Sequence, residues 1–309
     1  RMGCASAAIE TGTGTDMNHL AAIGFGYTAA ALARQLEADA WHITGTTRTE
    51  AGAAAIRAQG HGALVLDDAT PATALAGALD QVTHLLISAA PGADGDPVIE
   101  RIAEVREDLP RLVWIGYLST IGVYGNQGGA WIDEETPPNP SSERGRRRLI
   151  AETAWQVFGM RNALTVQVFR LPGIYGPGRS AIDRLRAGTA RRINKPGQVF
   201  NRMHVDDIAG ALARALRVAA PTSRVFNLTD DKPAPPQDVI AYAAGLMGIE
   251  PPPEIDFEAA DMTAMARSFY GDNKRVSNAR MKRELGYRLR YPTYREGLAA
   301  ILAQSSDNT

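Results

Sequence analysis

The sequence contains one cysteine, Cys4, among 309 residues, so it can form no internal disulfide and no pair of thiols to hold a metal ion. This cysteine usage is typical of a reducing compartment, and we expect a cytoplasmic protein without a metal site. Apolar runs such as Arg111–Leu118 fall far short of the ~20 residues that span a bilayer. Neither sign of charge is in excess, since the sequence contains 33 Lys and Arg residues and 34 Asp and Glu residues. This balance argues against nucleic-acid and membrane-surface partners.

The length and composition are those of an ordinary globular protein. At ~150 residues per domain the chain allows two domains or one large α/β unit, and 45% of its residues are hydrophobic and 22% charged. Residues 1–16 are small and polar, with no apolar core of signal-peptide length, and Met17 directly precedes the first apolar run. We expect residues 1–16 to be a disordered or artificial extension outside the fold.

Short apolar runs alternate with helix-like stretches through the first 170 residues. The predicted strands are His19–Ile23, Trp41–Thr46, Ala63–Leu66, His84–Ser88, Leu112–Leu118 and Leu164–Arg170. The predicted helices are Thr28–Leu36, Thr49–Ala58, Pro97–Glu107 and Arg146–Phe158. Uniformly apolar strands that alternate with helices predict a Rossmann-type, doubly wound parallel sheet, with ligands at the carboxyl ends of its strands.

Proline and glycine become frequent after residue 170, which predicts a loop-rich second region. We assign residues 17–175 to a dinucleotide-binding core, with residues 200–228 returning to it. Residues 176–309 then form mainly a smaller C-terminal region on the substrate side of a cleft. Alternatively, residues 176–309 are a simple extension of the dinucleotide-binding core and form no separate region.

A glycine-rich turn follows the first predicted strand and opens a helix. It reads Gly24-Phe25-Gly26-Tyr27-Thr28-Ala29. Gly24 permits the tight turn, Gly26 lets the backbone approach a pyrophosphate, and Ala29 allows close packing of helix and strand. The free N–H groups at the start of the helix favour a phosphate. We therefore predict that residues 24–29 bind the diphosphate of a dinucleotide.

The end of the second strand indicates which dinucleotide is bound. NAD-binding sites usually place a carboxylate there, whereas this chain has Thr46, Thr47 and Arg48, with no acid before Glu50. Hydroxyl groups and a guanidinium suit a 2′-phosphate. NADP(H) is therefore favoured, with NAD(H) as the alternative, and a solvated charge at a helix start is the other interpretation of Arg48.

Two further strand ends predict contacts with the cofactor. Asp67 and Asp68 follow the third strand, where a carboxylate can accept from the adenine amino group. The small run Ser88-Ala89-Ala90-Pro91 follows the fourth strand and would let the backbone run along the cofactor. Ordinary turn residues are an equally good interpretation of both runs.

Several motifs in order resemble the extended branch of the short-chain dehydrogenase/reductase superfamily, and the likeness spans residues 18–303. Besides the glycine-rich turn, the motifs are residues 118–125 (LSTIGVYG), 169–179 (FRLPGIYGPGR), 202–209 (RMHVDDIA), 225–228 (VFNL) and 277–287 (SNARMKRELGY). The resemblance implies that Leu171-Pro172-Gly173-Ile174 borders the cofactor. It also implies a small-molecule substrate, and related proteins often form homodimers through the helices that flank the fourth and fifth strands.

The resemblance also shows a departure at the catalytic positions. Thr120 falls on the family's Ser/Thr that contacts the reacting oxygen, with Ser119 as its neighbour. Aligning Gly145 with the glycine of the family's Tyr-Gly-x-x-Lys places Arg144 at the tyrosine and Arg148 at the lysine. Arginine stays protonated, so Arg144 cannot exchange a proton reversibly. The chain is in this respect similar to the atypical members, in particular the YeeZ-like group.

The substrate positions depart from the nucleotide-sugar members as well. Their phosphate-binding arginine is replaced by Phe200, and Arg202 is the nearest cation. His204, Asp206 and Asp207 are interpreted first as a turn and a helix N-cap. The run of arginines at 144 and 146–148 is either a solvated helix start or a site for an anionic ligand.

The sequence thus predicts an NADP(H)-binding oxidoreductase or epimerase that acts on a small polar or anionic substrate. Thr120 would orient the reacting oxygen, and the proton would come from water or the substrate. A non-catalytic NADP(H) sensor is the alternative that the missing Tyr and Lys suggest. A non-redox enzyme that holds another nucleotide is a third hypothesis.

Overall fold

The computed structural model describes residues 17–93, 95–218 and 222–306. Its strands are β1 His19–Ile23, β2 His42–Thr47, β3 Gly62–Val65, β4 His84–Ile87, β5 Trp114–Thr120, β6 Trp131–Ile132, β7 Thr165–Leu171, β8 Gly173–Tyr175, β9 Arg192–Asn194, β10 Arg202–His204, β11 Arg224–Asn227, β12 Glu254–Asp256 and β13 Arg275–Val276. Its helices are α1 Tyr27–Leu36, α2 Glu50–Arg57, α3 Ala72–Leu79, α4 Pro97–Glu104, α5 Glu143–Arg161, α6 Ala181–Arg186, α7 Val205–Leu216, α8 Pro236–Leu246, α9 Ala264–Phe269, α10 Ala279–Glu284 and α11 Tyr294–Ser306.

Seven parallel strands form the central sheet, in the order β11-β7-β5-β4-β1-β2-β3. Successive side chains of a strand point to opposite faces, so β1 contributes to two cores. Leu20 and Ala22 pack under α1 and α7, while Ala21 and Ile23 pack with residues of α3, α4 and α5. Burial on both faces explains why β1, β4 and β5 are mostly apolar. The predicted Rossmann-type α/β fold is confirmed.

All six predicted strands lie in this sheet. The first has the predicted ends, and the ends of the others differ by one or two residues. The fifth strand is Trp114–Thr120 and so includes Ser119 and Thr120 as its last residues. Helix α4 ends at Glu104, three residues earlier than predicted, because Val105 leaves the helical conformation at ψ 10°. Helix α5 begins at Glu143, three residues earlier than predicted, because the Ser142 side chain caps it by accepting from the Gly145 N–H.

The second half of the chain adds short parallel strand pairs and a helical cluster. The pairs are β8 with β10, β9 with β12, and β6 with β13. Helices α6, α8 and α11 pack around Ile182, Ile240 and Leu298. Residues 1–16, the predicted extension, lie outside the described residues. Within the described ranges no helix is long and apolar enough to cross a membrane.

A buried carboxylate joins α7 to the segment before α11. Asp207 accepts hydrogen bonds from the Arg290 N–H at 2.6 Å, the Tyr291 N–H at 2.9 Å and the Tyr287 hydroxyl at 2.9 Å. The predicted N-cap function belongs to His204, whose Nδ1 accepts from the Asp206 N–H at 3.1 Å. Asp207 is therefore a tertiary anchor, which its place in a helix start did not reveal.

Three buried histidines are expected to destabilise the folded protein in acid. Burial lowers the pKa of His19, His84 and His204 to about 4 each. Between pH 6.5 and 4 the unfolded chain binds protons on these histidines that the folded chain does not, so their contribution to the free energy of unfolding falls as the pH falls. Asp230, whose pKa is raised by burial, contributes in the opposite direction. Each group contributes up to about 1.4 kcal/mol per pH unit. Urea titrations at pH 7 and pH 5 measure this loss, and His84→Gln should reduce it. An unchanged pH dependence in that variant would contradict the assignment for His84.

Candidate functional site

The glycine-rich turn leaves open space in front of helix α1. Gly24 has φ +89°, and a Cβ there would lie 3.0 Å from the Ala89 backbone nitrogen. A Cβ on Gly26 would meet no described atom within 4 Å. The helix begins at Tyr27, so its free N–H groups face this space. A pyrophosphate fits the turn because the position beside Gly26 is both open and next to a helix N-terminus.

The side chains of the remaining turn residues pack against the protein or hydrogen-bond to it. The Phe25 ring lies over β2, where a Cβ on Gly45 would come within 2.6 Å of it. The Tyr27 hydroxyl donates to the Pro177 carbonyl at 3.0 Å. Thr28 and Ala29 are buried in α1. The side chains of this group thus fix the backbone, which is the part that would contact a phosphate.

The structure separates the three residues predicted to bind a 2′-phosphate. Thr46 is buried, and its hydroxyl oxygen accepts from the Gly24 N–H at 2.9 Å. Thr47 is half-buried and packs against Gly52. The Arg48 side chain is exposed and forms no hydrogen bond or ion pair with any residue the structure describes. Thr46 therefore braces the turn, and Arg48 is the group left free to meet a ligand.

The other predicted cofactor contacts lie at the same edge of the sheet. The carboxylate of Asp67, after β3, accepts from the Thr70 hydroxyl at 2.8 Å, which holds the pKa of Asp67 below its ordinary value. Asp68 beside it is exposed. The N–H groups of Ser88 and Ala89 donate to the Ile23 carbonyl at 2.9 and 3.0 Å, so residues 88–91 start beside the glycine-rich turn. Residues 171–174 run from the end of β7 into β8.

Ser119 and Thr120 end β5 but have different partners. The buried Ser119 hydroxyl donates to the Glu152 carboxylate. Thr120 is half-buried, and its Oγ1 accepts from the Gly122 N–H at 3.1 Å. The Thr120 hydroxyl hydrogen has no acceptor among the described residues, so Thr120 can still donate to a ligand. Ser119 is turned toward the protein interior.

Helix α5 carries Arg144, Arg148 and Glu152 at four-residue spacing, which places them on one face. Arg148 donates from Nη1 to the Leu118 carbonyl at 2.5 Å and lies 5.7 Å from the Tyr117 ring centroid. Arg144 is exposed, and its guanidinium lies 5.6 Å from the centroid of Phe269 on α9. Arg148 is thus fixed to β5, and α9 lies beside the position of the missing tyrosine.

Arg146 and Arg147 lie at a solvated helix start, which was one of the two interpretations of this run of arginines. Arg146 and Arg147 form ion pairs with Glu143 at 3.0 and 3.1 Å on the exposed side of the helix. Only Arg144 and Arg148 of this run reach the end of β5 or α9. The anionic site predicted for all four arginines is therefore reduced to these two positions.

A buried ion pair lies beneath Ser119. Arg170 and Glu152 are almost fully buried, with Nη2 and Oε2 2.7 Å apart and a second hydrogen bond from Nε. The Arg170 guanidinium also lies 4.7 Å from the Tyr124 ring centroid. Sequence reasoning missed this pair. One feature of the sequence could have indicated it. Glu152 lies four residues after Arg148 and therefore on the same face of helix α5.

None of the nearby tyrosines is suited to replace the missing one. Burial raises the pKa of Tyr117 to about 12, so its hydroxyl stays protonated. Burial also raises the pKa of Tyr124, whose hydroxyl donates to Asn227 at 2.9 Å. Tyr175 packs against Gly297 of α11, and burial raises its pKa as well. These three side chains contribute packing and hydrogen bonds inside the fold.

The chain matches known proteins over most of its length. Residues 24–229 match the model of the NAD dependent epimerase/dehydratase family. Protein YeeZ from Escherichia coli (strain K12) is 27% identical over 290 residues, which are 89% of this chain and 97% of YeeZ.

Solved structures show the same fold. A conserved protein of unknown function from Silicibacter pomeroyi DSS superimposes with a TM-score of 0.85 at 50% identity, covering 93% of this chain and 99% of that one. UDP-glucuronic acid 4-epimerase from Bacillus cereus, solved in complex with NAD, gives a TM-score of 0.73 at 18% identity over 93% of this chain and 99% of that one. The family resemblance read from the motifs is thus confirmed, and the chain belongs to the NAD dependent epimerase/dehydratase family.

Proposed function

We propose that the protein is an NADP(H)-binding oxidoreductase or epimerase that acts on a small polar or anionic substrate without a Tyr-x-x-x-Lys pair. The observation that carries the proposal is the open space beside Gly26 at the N-terminus of α1. Membership of an NAD-dependent family supports a dinucleotide there. The NAD complex of the Bacillus cereus epimerase, which shares the fold, supports it further.

The end of β2 supports the phosphorylated cofactor. A carboxylate that accepts from the ribose 2′-hydroxyl is the usual mark of an NAD site. The first acid after β2 is Glu50, and its carboxylate is paired with Arg57 at 2.6 Å along helix α2. Arg48 has no such partner among the described side chains. A free guanidinium and an engaged carboxylate favour a 2′-phosphate over a 2′-hydroxyl.

The chemistry follows from the residues at the carboxyl edge of the sheet. NADP(H), when bound, supplies or accepts the hydride. Thr120 donates its free hydroxyl hydrogen to the reacting oxygen and so orients the substrate. Arg148 contributes a fixed positive charge near the end of β5. The proton that a carbonyl oxygen gains on reduction comes from water, because Arg144 cannot release one at working pH.

Replacing Arg48 by alanine tests the choice of cofactor. We expect the wild-type protein to bind NADPH more tightly than NADH in fluorescence titrations. Arg48→Ala should weaken NADPH binding by about tenfold or more, the effect of losing one hydrogen bond to a charged group. Binding of NADH should change little. Arg34→Ala, an exposed arginine at the end of α1, is the matched control. Equal affinities of wild type and Arg48→Ala for NADPH would refute the assignment.

A non-catalytic NADP(H) sensor is the second candidate, favoured by the contact of Arg144 with α9. The Arg144 guanidinium lies 3.7 Å from the Met265 Sδ and against Phe269, so protein side chains adjoin the position where the family's tyrosine acts. A sensor would bind NADPH yet exchange no hydride with any member of a carbonyl panel. Turnover of one panel member would decide for the enzyme.

A further inference from the structure

A cavity of about 490 Å³ opens beside β8, and its lining combines arginine side chains with apolar ones. It begins at Gly173 and Ile174, the residues predicted to border the cofactor. Its lining includes Arg179, Arg184 and Arg202, here called the charged wall, and apolar side chains from α8 and α11, here called the apolar wall. Such a cavity has room for a ligand with one charged end and one apolar end.

The charged wall carries guanidinium groups without carboxylate partners. The Arg184 side chain forms no hydrogen bond or ion pair within the described part of the chain. Arg179 stacks 5.9 Å from the Tyr27 ring centroid. Arg202 uses Nη1 to donate to the carbonyls of Phe200 and Ala234 at 2.9 and 3.0 Å. These contacts leave donors of all three residues for a ligand.

The acids near this wall do not pair with the arginines. The Asp183 carboxylate caps α6 and accepts from the Ser180 N–H at 2.8 Å and the Ser180 hydroxyl at 2.6 Å. Burial raises the pKa of Asp230, and its carboxylate accepts from the Lys232 N–H at 3.1 Å and forms no ion pair with Arg202. The wall is therefore positively charged, and an anion is its complement.

The apolar wall consists of side chains that are packed in the protein core. Val239 of α8 and Tyr294 and Leu298 of α11 are 5%, 3% and 1% exposed, and they belong to one packed cluster. A polar or sugar ligand would leave its hydroxyl groups without partners against these side chains. A short hydrocarbon or aryl group would pack favourably against these side chains.

We propose that the cavity binds an amphiphilic carboxylate, with its anionic head at Arg184 and Arg202 and its apolar tail against Val239, Tyr294 and Leu298. This inference deepens the proposed function and rests on it for the assignment of the bound acid as substrate, since the cavity begins at Gly173 and Ile174, which are predicted to border the cofactor. The phosphate-binding arginine of the nucleotide-sugar members is Phe200 here, so the charge of the pocket has a different origin.

Three probes separate the contributions of head and tail. Octanoate carries both, acetate carries the head alone, and octan-1-ol carries the tail alone. Calorimetric titrations of the full chain should give an affinity for octanoate at least tenfold above that of either control. Octan-1-ol binding as tightly as octanoate, or no octanoate binding, would overturn the proposal.

Arg184→Ala locates the head group. The variant should weaken octanoate binding by about tenfold or more and leave octan-1-ol binding unchanged. Arg186→Ala is the matched control, because Arg186 lies on the same helix and outside the cavity lining. Val239→Ala should weaken octanoate binding and leave acetate binding unchanged. Equal effects of the Arg184 and Arg186 variants would overturn the assignment.

A parallel NADPH titration distinguishes the two proposals. NADPH binding without octanoate binding would overturn the acid site and leave the proposed cofactor site in place. Octanoate binding to a protein that binds neither NADPH nor NADH would overturn the proposed function and leave the acid site. A thermal melt of each variant shows that it is folded.

Discussion

Replacing Glu152 by glutamine is expected to lower the free energy of unfolding by about 3–5 kcal/mol, because it leaves the Arg170 guanidinium buried without a counter-charge. Glu152 and Arg170 are 2% and 4% exposed, so water cannot replace the lost carboxylate. The glutamine side chain has nearly the same volume, so the loss reports charge and not packing. Urea denaturation followed by circular dichroism measures it.

Glu143→Gln is the matched control on the same helix. Glu143 pairs with Arg146 and Arg147, but its side chain is 58% exposed. Exposed pairs contribute about 0–1 kcal/mol, so this substitution should change the stability little. A cost for Glu152→Gln no greater than that for Glu143→Gln would show that the buried pair is not what holds α5 to β7.

Replacing Gly26 by alanine is expected to weaken NADPH binding by about 100-fold or more while the melting temperature stays unchanged. The added Cβ meets no described protein atom within 4 Å, so the fold tolerates it. The same methyl group would occupy the space through which a pyrophosphate approaches the backbone. Two lost hydrogen bonds to a charged group, at about 1.5–3 kcal/mol each, account for the size of the effect. Nicotinamide fluorescence gives the affinity.

Gly77→Ala is the matched control for that measurement. Gly77 lies within α3, and a methyl group added there would also meet no described atom within 4 Å, yet it is remote from the turn. This variant should bind NADPH as the wild type does and be slightly more stable, as Gly-to-Ala changes within helices are. Wild-type affinity in Gly26→Ala would mean that the turn is not the phosphate site. Gly24 is less informative, since a Cβ there would strain the backbone itself.

The sequence was sufficient to predict six of the seven strands of the central sheet, because most of them are buried on both faces. A buried strand is an apolar run between turn or helix signals, so its burial leaves a local signal. The seventh strand, β11, was not among them. It is only Arg224–Asn227, with a polar residue at each end, and the Asn227 N–H donates to Glu134, 93 residues away. Local pattern carries no information on such a contact.

The same limit applies to the candidate site. The positions of the glycine-rich turn and of Thr120 follow from strand ends, which can be read from the chain. Side-chain direction does not, and Ser119 and Thr120 are adjacent residues with opposite surroundings. The Ser119 hydroxyl points inward, where it donates to Glu152. This acceptor lies 33 residues further along the chain, so the local sequence does not indicate it. The arginine-lined cavity was missed because its walls come from helices far apart in sequence, α6, α8 and α11.

The anchor at Asp207 has a consequence for biosynthesis. A chain that grows from the ribosome presents Asp207 about 80 residues before Tyr287, the first of its three hydrogen-bond donors. Until residues 287–291 emerge, burial of α7 would leave this carboxyl group without its partners, and the desolvation cost would oppose the packing of α7 over α1 and the sheet. We therefore expect the stable packing of α7 against α1 to form only after residues 287–291 have been synthesised. Truncated chains would present the apolar side of α1 to chaperones and proteases.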